Sequence, residues 1–331
     1  MAPASLPLPP EFALIARHFR PLAGPGALDL SDDAAVFQPP SGGEIVIAAD
    51  AMVAGVHFLL DDPPELIGRK LLRTNLSDLA AMGAAPFAYL MTVSAPPSTP
   101  DAWFAAFAAG LAQDQRQFGL HLLGGDTTST PGPISLSLTI LGTVHPGHAI
   151  RRNGAQAGDE LWVSGTIGDG ALGLLAATGR LADPTGFLAD RYRLPQPRLG
   201  LARHGVVHAA LDVSDGLVQD VGHLCRASGV AAEIQVALVP LSAAARSAGL
   251  NLRVNCLTGG DDYELAMAVP VRHVPALRRA ASAAGIAITR IGRFMDGAAT
   301  VMVRDEAGDV MDIKIGGWSH FQRPVQHFAS G

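Results

Sequence analysis

Apolar residues recur at helical spacing between Pro64 and Met82, and this pattern predicts a helix there. Proline suits the first turn of such a helix, and Gly83 suits its C-terminal cap. A second stripe, rich in phenylalanine, predicts another helix from Asp101 to Phe118. Both helices therefore have one apolar side that needs a partner.

Strand patterns alternate with these helices. Residues 44–50, 87–95 and 120–123 have the composition of buried strands, and residues 134–144 alternate strictly between apolar and polar side chains. The first half of the chain is therefore predicted to be an α+β layer with one sheet face left uncovered. Self-association through that face would cover it, which favours a dimer.

A polar, glycine-containing crossing near residues 145–158 predicts a domain boundary, dividing the chain into residues 1–148 and 149–331. The second part again alternates strands and helices and is predicted to be an α/β layer. A glycine-rich turn at 165–170 is typical of phosphate sites and also of plain turns. After the strand at 209–213, either Ser214 or Asp215 would cap the next helix.

Composition narrows the class of protein. A chain of 331 residues with 48% hydrophobic and 16% charged residues has room for two domain cores. The net charge of −6 and the lack of a basic run argue against nucleic acid as a partner. The sequence contains no membrane-length apolar run and no secretory signal, and its two cysteines predict reduced core thiols in a cytoplasmic protein.

The chain has two lysines, Lys70 and Lys314, and no P-loop motif surrounds either of them. Divalent metals or arginines would therefore have to bind any phosphate ligand. Lys70, Thr74 and Asp78 recur at i, i+4 and i+8 on one side of the first long helix, away from its apolar stripe. A carboxylate placed at the small, apolar end of a helix is costly without a hydrogen bond, an ion pair or a metal.

Other acidic residues stand mostly at strand ends and strand–helix turns. They are Asp32 and Asp33, Asp50, Asp126, Asp212 and Asp215, and Asp261 and Asp262. The first pair, in the segment SDDAAVF, predicts a turn that runs into a short strand. Each motif alone fits an ordinary cap or turn. Together they predict carboxylates converging on one cleft, where Mg²⁺ and substrate phosphates would offset their repulsion.

The order of these motifs resembles the thiamine-monophosphate kinase family along nearly the whole chain. The segments that carry the resemblance are SDDAAVF, DAMVAGVHF, NLSDLAAMGA, LLGGDTT, RRNGAQAGDELWVSGTIGDGALGL, RYRLPQPR, LDVSDGL and GGDDYEL. The resemblance implies the two-domain architecture of aminoimidazole ribonucleotide synthetase. In that architecture a mixed N-terminal sheet has helices on one face and forms the dimer, and a C-terminal α/β layer follows.

The resemblance also implies roles for single residues. Metal ligands would be Asp33, Asp50, Asp78, Asp126, Asp212 and Asp215; ATP contacts would be Gly125, Asp126, Arg152 and Ser214; and thiamine-phosphate contacts would be His57, Asp261 and Trp318. An indole such as that of Trp318 suits stacking on a cationic ring. The alternative interpretation is a hydrophobic plug at a chain end.

Three positions depart from the family pattern. Ser31 replaces a glycine, Ala48 and Ala49 replace two hydroxyl residues, and Asp261 replaces a glutamate. The two alanines could bind metal only through their backbone carbonyls, so we expect backbone ligands there. Asp261 keeps the charge of the glutamate with a shorter reach.

The implied reaction is the last step of thiamine diphosphate biosynthesis: ATP and thiamine monophosphate give ADP and thiamine diphosphate, assisted by several Mg²⁺ ions. The acceptor phosphate is already anionic, so no general base is expected and transfer would be direct and in line. Two alternatives remain: another ATP-dependent enzyme of the superfamily, and a nucleotide-binding sensor that has lost catalysis. A selenophosphate synthetase would need a reactive N-terminal cysteine, whereas the first cysteine here is Cys225.

Overall fold

The computed structural model describes residues 10–32 and 34–319, which form two β-sheets and the helices that pack on them. The first half contains α1 (Pro10–Leu14), β1 (Glu44–Val53), α2 (Pro64–Ala81), β2 (Ala85–Ala95), α3 (Asp101–Phe118), β3 (His121–Ser129) and β4 (Ser135–Val144). The second half contains β5 (Glu160–Ser164), α4 (Asp169–Ala177), α5 (Phe187–Arg193), β6 (Ala209–Val213), α6 (Leu217–Ser228), β7 (Ala231–Gln235), α7 (Ala243–Ser247), α8 (Arg253–Thr258), β8 (Glu264–Val269), α9 (Val274–Ala284), β9 (Ile288–Met295) and β10 (Val301–Arg304). A π-helical turn follows α1 at Ile15–Phe19, and short 3-10 turns occupy Arg20–Leu22, Leu28–Leu30, Val236–Leu238, Leu250–Leu252 and Val271–His273.

The first sheet is mixed, as the family resemblance implied. Its strand order is β1-β4-β2-β3, with β2 and β3 parallel and the other pairs antiparallel. Leu136, Leu138 and Ile140 of β4 are fully buried against α2 and α3, which confirms the predicted alternation. On the opposite face, Ile47 and Leu90 are 63% and 40% exposed, so this face is uncovered within one protomer.

Two glycines set the close packing of α2 against α3. A Cβ at Gly68 would lie 2.5 Å from the Phe107 carbonyl oxygen, and a Cβ at Gly110 would collide with the backbone of Glu65. The leucines of the apolar stripe of α2 are completely buried, and each contributes about 1.5–3 kcal/mol by leaving water. The stripe therefore anchors α2 in the first core.

The second sheet has the order β10-β7-β9-β5-β8-β6, and every pair except β10–β7 is antiparallel. Helix α6 covers one of its faces. The other face packs on α9 and also on Ala80 and Ala81, at the C-terminal end of α2. Helix α2 therefore begins in the first core and ends against the second, and Asp78 lies where the two meet.

One local prediction was wrong, and one choice that the sequence left open is decided. Residues 34–37 do not form a strand; Val36 donates its N–H to the Gly26 carbonyl at 2.8 Å and its side chain points to solvent. The glycine-rich turn before α4 does not leave its N–H groups open to a phosphate. The buried carboxylate of Asp262 accepts hydrogen bonds from Gly168 and Gly170, at 2.7 and 2.9 Å.

Candidate active site

Four of the predicted carboxylates lie close enough together to interact electrostatically. They are Asp50 on β1, Asp78 on α2, Asp212 at the end of β6 and Asp215 in the turn before α6. Burial raises the pKa of Asp78, and the charges of Asp212 and Asp50 raise it further. Burial followed by the charge of Asp215 raises the pKa of Asp50. These four side chains form the acidic cluster, a name kept for them below.

Asn75, in the segment NLSDLAAMGA around Asp78, connects the elements that carry the cluster. Asn75 is completely buried; its side-chain oxygen accepts the Asp50 N–H at 3.1 Å, and its amide donates to the Leu71 carbonyl at 2.9 Å. This one side chain therefore ties β1 to α2 beside the cluster. Burial raises the pKa of Asp212 to about 6, and the buried Ser77 hydroxyl beside it opposes that rise, although this hydroxyl has no hydrogen bond of ordinary geometry among the described residues.

Asp220 organises the loop that carries Asp212 and Asp215. One of its oxygens accepts the N–H groups of Ser214, Asp215 and Gly216 at 3.0–3.1 Å. The predicted cap of α6 at Ser214 or Asp215 is therefore wrong, because a side chain inside the helix satisfies these donors. Burial raises the pKa of Asp220 to about 7, and the neighbouring charge of Asp212 adds to this.

The acidic cluster suits a hard divalent cation better than any other occupant. All its side-chain donors are oxygen, and an unhydrogen-bonded hydroxyl, that of Ser77, faces it. Within the described part of the chain, no three His, Cys, Asp or Glu side chains converge tightly enough to hold an ion by themselves. Mg²⁺ usually keeps several waters and binds one or two carboxylates together with substrate phosphates, so this spacing fits a shared metal–phosphate site.

Because the pKa values of Asp50, Asp78, Asp212 and Asp220 are raised, mainly by burial, the protein is expected to lose stability as pH rises. A carboxyl group whose folded pKa exceeds its unfolded value binds more protons when folded, so unfolding free energy falls between that unfolded value, 3.8, and the raised pKa, about 7 for Asp220. Without metal, the unfolding temperature should therefore be lower at about pH 8 than at about pH 5.5. Scanning calorimetry in EDTA and in Mg²⁺ would check this. A Mg²⁺ stabilisation that does not grow with pH would contradict it.

Two of the predicted ATP contacts border the cluster. Burial raises the pKa values of Asp78 and Asp212, and the positive charge of Arg152 opposes part of that rise, which places the guanidinium near both. The carbonyl of Ser214 accepts the Asp261 N–H at 2.9 Å. A side chain at Gly260 would collide with that carbonyl, so a glycine is needed for the two loops to approach.

The predicted acceptor contacts lie beside these loops. The His57 ring accepts the Val53 N–H at 3.0 Å, and Asp261 has a φ of +69°, a conformation that few residues adopt. Trp318 donates its backbone N–H to the Asp215 carbonyl at 2.9 Å, while 57% of the residue remains exposed. Trp318 therefore lies beside Asp215 of the acidic cluster, with more than half of the residue exposed.

Lys70 was not predicted as a site residue. Its ammonium is buried, lies 2.9 Å from the His57 carbonyl oxygen and 3.6 Å from Asp261 Oδ2, and sits over the ring of Tyr192. The recurrence of Lys70, Thr74 and Asp78 along α2 was a usable signal, because residues four apart lie on one side of a helix. The partners of the lysine lie far away in sequence.

Gly125 and Asp126 lie away from the other predicted site residues. Asp126 of β3 pairs with Thr92 of β2. Thr92 in turn pairs with Ser137 of β4, and Ser137 pairs with Ala51 of β1. All four residues therefore lie on the open face of the sheet. Side chains alternate between faces, so Asp50 points to the helix-covered face. A Cβ at Gly125 would collide with the backbone of Met91, and this close approach requires glycine.

Asp33 lies outside the described residues, and its neighbour Asp32 is exposed. Ala48 and Ala49 lie within β1, opposite Ile140 and Thr139 of β4, directly before Asp50. Backbone coordination by these two alanines therefore stays a prediction.

Comparison with known proteins gives a consistent result. The N-terminal domain of AIR synthase related proteins matches residues 31–144, and the C-terminal domain of the same family matches residues 156–304. The thiamine-monophosphate kinase of Caulobacter vibrioides is 46% identical to the chain over 329 residues, covering 96% of this chain and 93% of that protein.

Solved structures show the same similarity. The thiamine-monophosphate kinase of Stenotrophomonas maltophilia K279a superposes with a TM-score of 0.77 at 40% identity, covering 85% of this chain and 91% of that one. A ThiL structure described as AaThiL complexed with AMPPCP and TMP superposes with a TM-score of 0.74 at 28% identity, covering 88% and 91% of the two chains. The similarity therefore spans both sheets and the acidic cluster between them.

Proposed function

The chain belongs to the thiamine-monophosphate kinase family of AIR synthase related proteins, and from that premise we propose that it phosphorylates thiamine monophosphate with ATP. The products would be thiamine diphosphate and ADP. The observation that carries this proposal is the acidic cluster, in which Asp78 of the first domain lies beside Asp212 of the second. Like charges from two domains are brought together there, as a site for metal-bound phosphates requires.

In the proposed reaction, the side chains mainly have to position the substrates and the metal ions. The acceptor phosphate has a second pKa of about 6, so it is mostly a dianion at neutral pH and needs no general base. Mg²⁺ held by Asp50, Asp78, Asp212 and Asp215 would supply charge neutralisation between the two phosphate chains. Arg152 and Ser214 would both contact ATP. The cluster thus orients donor and acceptor for direct in-line transfer.

The acceptor would bind on the side of the cluster formed by His57, Asp261 and Trp318. An exposed indole can stack on the pyrimidine or thiazolium ring, and the ring's positive charge favours an aromatic face. The carboxylate of Asp261 would face the same cation. This arrangement supports a cationic heterocycle carrying a phosphate as the acceptor.

We infer that the enzyme is a homodimer joined through the open face of the first sheet. Ile47 and Leu90 are exposed on that face, beside a row of small residues. Asp126 lies on the same face, on the strand farthest from β1; three strand spacings of about 4.8 Å put it roughly 14 Å from Asp50. One metal cannot bind both side chains of the same chain at that separation, so we propose that Asp126 serves the metal site of the partner subunit, which would approach past β1 at the edge of the sheet.

We propose a cytoplasmic location for the enzyme. No helix in the described part of the chain is long and apolar enough to cross a membrane. Cys225 and Cys256 are both buried and unpaired, and burial raises the pKa values of both thiols. Reduced core thiols support a cytoplasmic enzyme.

A coupled ADP-release assay tests the proposed reaction. With thiamine monophosphate, ATP and Mg²⁺ we expect stoichiometric ADP and thiamine diphosphate, and with EDTA we expect no turnover. ADP release that does not depend on thiamine monophosphate would indicate another ATP-dependent enzyme of the superfamily. Tight ATP binding without turnover would indicate a nucleotide sensor. A phosphorylated protein residue in single-turnover experiments would contradict direct transfer.

A further inference from the structure

The segment RYRLPQPR, residues 191–198, has no role in the proposed chemistry. It nevertheless contacts both domains near His57 and Asp261, the proposed acceptor contacts. Arg193 Nε donates to Asp62 Oδ1 at 2.6 Å, and the Pro195 carbonyl accepts from Arg73 at 3.1 Å; both contacts are to the first domain. Toward the second domain, Arg191 and Arg198 both pair with the buried carboxylate of Glu264. The segment therefore joins the first domain to the strand that follows Asp261 and Asp262.

Lys70 lies at the centre of this junction. Its Nζ donates to the His57 carbonyl at 2.9 Å, lies 3.6 Å from Asp261 Oδ2 and is 3.7 Å from the centre of the Tyr192 ring. The Tyr192 hydroxyl donates to the same His57 carbonyl at 3.4 Å. One ammonium group thus contacts the turn after β1, helix α5 and the loop before β8.

This placement is costly for the fold. The Lys70 side chain is 3% exposed, and burial lowers its pKa, an effect that the carboxylates of Asp261 and Asp62 oppose. Buried ion pairs often add little stability, and a well-packed apolar residue of similar volume can replace them without loss. Stability alone therefore gives weak reason for a lysine here. The hydrogen-bond partner of the ammonium, the His57 carbonyl, and its ion-pair partner, Asp261, nevertheless both belong to residues on the acceptor side.

We propose that Lys70 is a positioning residue for the acceptor, which rests on the proposed function above. Its ammonium holds Asp261 and the His57 turn, which come from different domains, in the arrangement that receives the cationic ring. Asp261 is 28% exposed on its side chain, so one oxygen faces Lys70 while the carboxylate remains accessible from the cleft.

Two variants isolate the ammonium. Lys70→Met keeps the approximate volume and removes the charge, while Lys70→Gln retains a donor for the His57 carbonyl but also removes the charge. Lys314→Met is the matched control, because Lys314 is the second lysine of the chain and is exposed. For each protein we would measure KM for both substrates, kcat, the unfolding temperature, and thiamine monophosphate binding by calorimetry without ATP.

Both Lys70 variants should raise KM and weaken calorimetric binding of thiamine monophosphate roughly 10- to 100-fold, the range for loss of a charge-assisted contact. The KM for ATP should change less than about twofold, and Lys314→Met should leave all values unchanged. In a double-mutant cycle with Asp261→Asn, the combined loss should be smaller than the product of the single losses, because both act on one contact.

Equal effects on both substrates, unchanged acceptor binding, or unfolding of both variants would overturn the proposal and leave Lys70 as a residue of general stability. The proposed function is tested separately. A wild-type protein that binds thiamine monophosphate but does not phosphorylate it would refute the reaction, while the calorimetric comparison still decides the role of Lys70. A wild-type protein that does not bind it at all would refute both.

Discussion

Replacing Asp78 with asparagine is expected to lower kcat by at least roughly 10²–10³-fold, the loss typical of removing one charge-stabilising group from a transition state. The side chain interacts with Asp50 and Asp212 together, so its loss should disturb metal binding across the cluster. Steady-state kinetics at saturating ATP and Mg²⁺ would measure the change.

The same substitution should not harm the fold. Burial raises the pKa of Asp78, so its ionised form is unfavourable in the metal-free protein, and a neutral amide removes that cost. The metal-free unfolding temperature at about pH 8 should stay the same or rise. Asp296→Asn, at an exposed turn, serves as the control and should change neither activity nor stability. A folded Asp78→Asn protein with near-normal kcat would remove this carboxylate from the mechanism.

Mixed dimers are expected to recover activity that neither parent has. In a dimer of one Asp78→Asn chain and one Asp126→Asn chain, one site would combine an intact Asp78 with an intact Asp126 of the partner subunit, and the other site would have neither. Such a heterodimer, purified through two different tags, should therefore have about half of the wild-type activity, since one of its two symmetric sites is complete.

The activity of the heterodimer would be different if Asp126 served the site of its own chain. If Asp126 acted within its own chain, each site of the heterodimer would carry one substitution, and activity would stay at the level of the inactive parents. Active wild-type protein that is monomeric in solution, by size-exclusion chromatography with light scattering, would also contradict this arrangement. Homodimers of each single variant, purified in the same way, are the controls.

Much of the fold followed from the sequence because the periodicities are strong. The stripe between Ile67 and Leu79 predicted α2, and the alternation around Leu138 predicted a half-buried strand; both are confirmed. Residues 34–37 show the limit of such reasoning. An apolar run of four residues favours a strand, but this segment pairs with no neighbouring strand and stays mostly exposed.

Fewer features of the candidate site than of the fold could be predicted from the sequence. The resemblance selected Asp50, Asp78, Asp212 and Asp215, and the structure brings these four together. It did not indicate Asp220, whose carboxylate satisfies three backbone donors, because an acidic residue in the first turn of a helix is common. It named Asp261 as the acceptor contact but gave no role to Asp262, whose buried carboxylate accepts hydrogen bonds from the turn before α4.

By itself, the sequence determined the chemistry of this protein: oxygen ligands at strand ends and strand–helix turns, almost no lysine, and the order of family motifs. Those features depend on residue type and local spacing, which a sequence contains directly. Tertiary structure alone decided that Lys70 meets His57 and Asp261, and that Asp126 lies across the sheet from Asp50. Strand register and domain packing set those distances, and both depend on contacts between residues far apart in the chain.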